Sequence, residues 1–383
     1  MSIELENAHV IYNYQGLREI SNDIEGHYEL GCDIDCTESA KDNNGLGWKP
    51  FDFSGKLNGN GYCLSNMYSK QGGLFNNFTG EISGVGFRNW KIEDINDTGV
   101  FASWVETSGV VERCYVENCL ILPKVFEGQA SSWVASNKSA GAFIGILRQG
   151  TIKECYASNC IIGQEKANYN QFTEWVSGFI AKIDRFGMVC DCYSRNCKIY
   201  ALSYGAGFIG TEDYFTYIDP DTTGTKRCYS ANRIVIRNKS TSDSYIKGAF
   251  CGNASGKAIE LQEGNVYDSS IAGYGLSNNG YGYGKITEQM KDKNTFEALK
   301  WEFSIVNDDG TVIKKTWRIE DGITYPYLQF NKQYKELVPT AFLKIKSEKH
   351  GDLYAPLVSP FDVNLDVTPH LYIRIENSGT GGE

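Results

Sequence analysis

The chain has 383 residues and a formal net charge of −10, with no long basic run, which argues against a protein built to wrap nucleic acid. Its 41 glycines, 24 tyrosines and 19 phenylalanines, against only 8 prolines, suit many short strands joined by glycine turns. No stretch approaches the roughly 18 apolar residues that a membrane span requires.

The first residues, MSIELENAHVIYNYQGL, carry neither the positive nor the apolar region of a secretory leader. The twelve cysteines therefore read as reduced thilos of a protein made in cytoplasm, a reading that a removed leader would reverse. Residues 1–50 are expected to form an N-terminal cap and first strands. Within them GLREISNDI, 16–24, suits one short helix, and HYELGCDIDC, 27–36, alternates like a strand. WKPFDFSGKLNGNGYCLSNMY, 48–68, reads as strand, Asn-Gly turn, strand.

From residue 72 onward two phrases recur. One is a small-residue turn followed by a short apolar run around a Phe: GGLFNNF at Gly72, GVFASWV at Gly99, AGAFIGIL at Ala140, SGFIAKI at Ser177, AGFIGTE at Ala206 and GAFCGNA at Gly248. The other reads GVVERCYVENCLI from Gly109, GTIKECYASNCII from Gly150 and GMVCDCYSRNCKI from Gly187, with weaker copies opening at Gly80, Gly224 and Gly264. These glycines lie 29 to 41 residues apart, a spacing that belongs to stacked repeats. Both phrases are strand-like in length, and no apolar face at helical spacing runs through the unit, so helical repeats are excluded.

DIDC, WKPF from Trp48, FSGKLNGNGYCLSNMY, GLFNNF and GEISGVGFRNWKI together resemble the GLUG-type repeat family, and WRIEDGITYPYLQF at 317–330 is similar to the phrase that closes its arrays. Asn58 stands where that family usually has Asp. The resemblance covers roughly residues 12–330 and implies an all-β, right-handed parallel β-helix, a solenoid spanning 51–330. It implies little about activity. In such a fold Ile152, Cys155 and Ile161 with their copies line the core, and Phe101, Phe143, Phe179, Phe208 and Phe250 form an aromatic stack. Asn118, Asn159, Asn196 and Asn232 suggest an internal asparagine ladder.

Variable stretches at 122–139, 163–176, 200–205 and 237–247 follow the core phrase and are expected to stack on one face. Phe126, Trp133, Tyr169, Phe172, Trp175 and Tyr204 make that face aromatic, and aromatic planes stack on sugar rings. They are the ligand-binding candidates, against the plainer reading that they fold the loops back onto the wall. Residues 331–383 hold a weak duplication, VPTAFLKIKSE and VTPHLYIRIEN, and are expected to form a small C-terminal β module for attachment or oligomerisation. Leu343, Ile345, Leu371 and Ile373 are its partner-binding candidates.

The Cys-x4-Cys pairs at 114/119, 155/160 and 192/197 read first as buried core thiols, with disulfides and a metal site as the alternatives. Asp184 and Asp191, and Asp213, Asp219 and Asp221, are acidic groupings of the kind glycoside hydrolysis uses, but nothing in the sequence shows them converging; the 219–224 loop reads as ordinary turn chemistry, with Ca²⁺ binding and catalysis as its alternatives. No H-E-x-x-H, P-loop or G-x-S-x-G sequence is present. No catalytic residue, metal or cofactor is therefore expected.

The expectation is a non-enzymatic structural or recognition protein of a virus particle: a bacteriophage fibre, spike or decoration protein. It would bind other virion proteins through its C-terminal module and a host-surface glycan through its aromatic face, as a homo-oligomer, a trimer by analogy. The alternatives are an adhesin or carbohydrate-binding protein of the bacterial cell surface and, third, a polysaccharide depolymerase.

Overall fold

The computed structural model describes residues 8–95, 97–123, 139–163, 175–201, 205–213, 222–236, 247–254, 256–272, 281–306, 312–328, 342–347 and 351–356. By internal contacts the chain divides into two units, Met1–Lys335 and Glu336–Glu383.

In the first unit the recurring phrases become strands of three sheets, two of 13 strands and one of four, in which the strands pair in parallel. The Gly-x-Ile phrase supplies Glu81–Ser83, Val110–Glu112, the ends of Ile144–Lys153 and Ile180–Cys190, and Gly224–Lys226. In this first sheet Ile82, Val111, Ile152, Val189 and Thr225 stand opposite one another. The Gly-x-Phe phrase adds Phe75–Phe78, Ala102–Val105, Ile209–Asp213 and Cys251–Ala254 to the same sheet. The Cys-Tyr phrase builds the second sheet, with Gly86–Arg88, Tyr115–Glu117, Tyr156–Ser158, Tyr193–Ala201 and Tyr229–Ile236.

The N-terminal residues join this scheme. His9–Ile11 and His27–Leu30 pair in the first sheet. Between them a helix spans Tyr14–Glu19, its start capped by the Asn13 side chain accepting from the Gly16 N–H, and Leu17 and Ile20 are buried.

Alternation decides what each strand of the second sheet buries. Cys114, Val116, Cys155, Ala157, Cys192 and Cys228 point into the main core, and Tyr115, Tyr156, Tyr193 and Tyr229 point to the opposite side, into a second apolar cluster. In the main core Phe101, Phe143, Phe179, Phe208 and Phe250 stack at centroid spacings of 5.5, 5.0, 4.7 and 4.9 Å. These spacings follow the separation of neighbouring strands, about 4.8 Å.

All twelve cysteines lie within the described residues and all are free, ten of them buried. Their sulfurs serve the backbone. The N–H of Cys114 donates to Cys155 Sγ at 3.4 Å and that of Cys155 to Cys192 Sγ at 3.3 Å. In the other corner the Trp90 N–H donates to Cys119 Sγ at 3.3 Å. Where the cysteines run out, asparagine takes over: Cys228 N–H donates to Asn265 Oδ1 at 3.0 Å and Cys197 N–H to Asn232 Oδ1 at 2.8 Å. Burial pushes the thiols of Cys114, Cys160, Cys192 and Cys197 well up, so they stay protonated at neutral pH.

The asparagine ladder is corrected by this arrangement. Asn66, Asn89, Asn118, Asn159 and Asn196 adopt φ between 55° and 60°, and Asn118 and Asn196 are exposed. They turn the corner in the left-handed region that asparagine tolerates. Asn232 is the internal one.

In the second unit Phe342–Ser347 and Gly351–Pro356 form an antiparallel hairpin, with Leu343 opposite Ala355 and Ile345 opposite Leu353. Leu371 and Ile373 lie outside the described residues.

Replacing Cys155 by Val keeps an apolar side chain but removes the acceptor of the Cys114 N–H, so denaturant unfolding under reducing conditions should show a loss of about 1–3 kcal/mol. A loss below about 0.5 kcal/mol would mean that this N–H does not depend on the sulfur.

Candidate functional site

The variable stretches leave the second sheet after Leu120–Pro123, Ile161–Ile162, Tyr193–Ala201 and Tyr229–Ile236. They return at Ser139–Gly141, Trp175–Ser177, Gly205–Ala206 and Lys247–Gly248, which pair in that order as the third sheet. Ala140 stands opposite Val176, Ser177 opposite Ala206, and Ala206 opposite Gly248. The roots of all four stretches are thus neighbours on both sides. Of the aromatic candidates, Phe126, Trp133, Tyr169, Phe172 and Tyr204 lie outside the described residues. Trp175 is described: it is half-buried, opposite Ser139, with its Cβ over Gly210, where an added side chain would crowd it.

A second feature lies at the corner between the first and second sheets. Arg113, Glu154, Asp191 and Arg227 occupy equivalent positions, each just before a core cysteine, and all four have a left-handed φ of 49° to 52°. Asp191 is buried and accepts two bonds of 2.8 Å from the Arg227 guanidinium and one of 3.1 Å from Trp317 Nε1. Together with Lys300, Glu302 and Thr316 these three line a cleft of about 290 Å³. The rim charges of Lys300 and Glu302 are largely exposed.

The Asp191 carboxylate is held by a bidentate guanidinium and an indole N–H, which take up most of its hydrogen-bonding capacity and fix its orientation. Its bond to Arg227 raises the guanidinium pKa further. Glu154 differs. Burial raises its carboxyl above the usual glutamate range, with Asp191 and Glu112 adding to the rise, while Lys153 and Arg113 pull it down. The other acidic group singled out in the sequence, Asp184, lies against Arg148 at 3.9 Å and Lys182 at 4.0 Å. Asp219 and Asp221 lie outside the described residues, as does the side chain of Asp213.

The insertion roots follow from the variable lengths in the sequence, whereas of this corner the sequence singles out only Asp191. The available signal was the residue before each first cysteine, which runs Arg, Glu, Asp, Arg down the repeats.

The first 117 residues carry the most specific comparison. Residues 3–117 match the model of the M26 IgA1-specific metallo-endopeptidase N-terminal region. No curated protein matches the chain. Among solved structures, a candidate immunoglobulin A1 protease from Bacteroides ovatus is similar at 15% identity and a TM-score of 0.53, covering 80% of this chain and 91% of that one. At that identity the likeness concerns the fold. An IgA1 protease structure aligns at 11% identity and a TM-score of 0.42 over 80% of this chain, which spans only 23% of that protein.

These findings correct several expectations. The phrases that resemble GLUG repeats fall largely inside the stretch matched to the peptidase region, which overturns that resemblance. Glycine turns and short apolar runs are what any stack of parallel strands demands, so the phrases were not specific to one family. The virus-particle function, the virion location and the adhesin alternative fall with it, since they rested on fold-level analogy. The expectation of a non-enzymatic protein is overturned as well, because residues 3–117 match the model of a peptidase family's N-terminal region.

A metallo-endopeptidase implies a metal, and the residues described do not fit one. Among them no three His, Cys, Asp or Glu side chains converge to hold an ion, and the sequence contains no H-E-x-x-H. Two of the four histidines, His350 and His370, lie outside the described residues. Among the described residues no helix is long and apolar enough to cross a membrane.

Glu154 makes the corner testable. Its raised pKa means that folding favours the protonated acid, so its contribution is fully present below the usual glutamate range and is lost as pH rises through the raised value. Glu154→Gln should therefore match the parent in pH dependence below the usual glutamate range and gain stability relative to it as pH rises through the raised value toward neutral. Parallel curves for the two proteins would refute this.

Proposed function

We propose that this chain serves an immunoglobulin A1 protease-like metallo-endopeptidase as its N-terminal type of region, a β scaffold that engages the immunoglobulin substrate and works outside the cell, where that substrate is found. The observation that carries this reading is the match of residues 3–117 to the N-terminal region of the M26 family. The fold likeness to the Bacteroides ovatus protein extends over most of both chains and agrees with it.

The three sheets wind, in this reading, as a right-handed parallel β-helix. Supporting it, strands one repeat apart pair in parallel and in register through both large sheets. Such a scaffold is stiff and extends by adding repeats. The engaging surface is the face that carries the four variable stretches, since their roots are held side by side and loops on a rigid frame are where binding residues gather. Trp133 and Trp175 are its anchors, because a large aromatic side chain supplies contact area at low entropic cost.

Interferometry with the immobilised full chain tests the proposal. IgA1 should bind saturably and IgG should not, and Trp133→Ala with Trp175→Ala should weaken binding about tenfold or more. Absence of IgA1 binding, or equal binding of IgG, would contradict it. Chelator-sensitive cleavage of the IgA1 heavy chain by the purified chain would instead place a hydrolytic centre within these 383 residues.

A further inference from the structure

Among the described residues, one row of the second sheet has an open strand at each end: Ile34–Asp35 pairs only with Cys63–Ser65, and Tyr283–Lys285 only with Val266–Asp268. The two free edges have complementary hydrogen-bonding phase. At the last strand the Tyr283 N–H donates to Asn265 O and Lys285 O accepts from the Ser269 N–H. Tyr283 and Lys285 therefore bond inward, and in a parallel ladder this leaves the N–H and C=O of Gly284 facing out. At the first strand the Cys36 N–H donates to Ser65 O, so the Asp35 N–H and the Asp33 C=O face out.

Apolar exposure is concentrated at the same two places. Every large apolar side chain recorded as exposed among the described residues falls before residue 47 or after residue 270. Tyr12, 63% exposed, lies on Gly31 beside the first edge, and Tyr283 and Ile286, 48% and 49% exposed, flank the last. Charge is complementary as well: Asp33 and Asp35 are exposed on the first edge, and Lys285 stands on the last.

We propose that a second copy of this chain docks head to tail, its Ile34–Asp35 edge extending the second sheet beyond Tyr283–Lys285. In the register that runs through the sheet, Ile34 falls opposite Gly284 and Asp35 opposite Lys285. Gly284 O accepts from the Asp35 N–H of the next copy, and the Gly284 N–H donates to its Asp33 C=O. The contact joins unlike surfaces, so it does not close on itself and the assembly grows with concentration.

Sedimentation velocity of the full chain over a concentration series, under reducing conditions and at low salt, tests this. The weight-average mass should rise without a plateau at dimer or trimer. Lys285→Glu, which sets two acids opposite each other, should weaken association about tenfold or more, and adding Asp35→Lys to it should restore association. A monomer at every concentration would overturn the proposal and leave Lys285 as a guard on an exposed edge. A closed oligomer, or association unaffected by Lys285→Glu, would overturn it equally.

Discussion

The structure depends on how it satisfies backbone N–H groups at corners that lie inside the core. At the corners of the second sheet the N–H groups of Trp90, Cys114, Cys155, Cys197 and Cys228 are buried and meet a side-chain acceptor, and a buried N–H without an acceptor costs about 1–3 kcal/mol. Here the acceptor comes from the neighbouring repeat, as the sulfur of Cys155, Cys192 or Cys119, or as the amide oxygen of Asn232 or Asn265. Cysteine suits the position because it is small, apolar enough to be buried and still a weak acceptor. The same contact fixes register, since a slip of one residue would take the sulfur from the corner and turn the strand inside out.

The outer side of the second sheet is sealed by a different device. The Tyr115, Tyr156, Tyr193 and Tyr229 rings stack at 5.1, 4.8 and 4.9 Å. Trp301, Trp317 and Tyr325 close over the end of that stack. Polar groups pin the cover: Trp301 Nε1 donates to Gly264 O at 2.8 Å, Tyr325 Oη to Asp268 Oδ2 at 2.6 Å and Tyr229 Oη to Pro326 O at 2.8 Å. Asp191 belongs to this set through Trp317. Its burial is that of a fastening, and the cleft beside it is the seam where the cover meets the repeats.

Much of this was legible in the sequence. The glycine spacing announced repeats, and the Phe of each Gly-x-Phe phrase did become a stack, because a residue recurring at one place in a repeat meets its own copies when strands pair in register. Asn118, Asn159 and Asn196 recurred as regularly but serve the outside of a corner, and recurrence alone does not say which side of the backbone a residue takes. The tyrosine stack went unread because Tyr beside Cys looks like one more core residue until alternation separates them. The insertion roots were legible from variable length; the charged corner was not, since Arg, Glu and Asp at one position look like ordinary surface variation. The functional reading failed for a related reason: phrases dictated by strand stacking carry little of what a family does.

Native-state hydrogen exchange, read amide by amide, tests most directly whether the corners hold the repeats together. The N–H groups of Cys114, Cys155, Cys197 and Cys228 should exchange as slowly as those of Val111 and Ile152 within the sheets, through global rather than local opening. Exchange of these four amides at the rate of an exposed turn, while the sheets stay protected, would contradict the account.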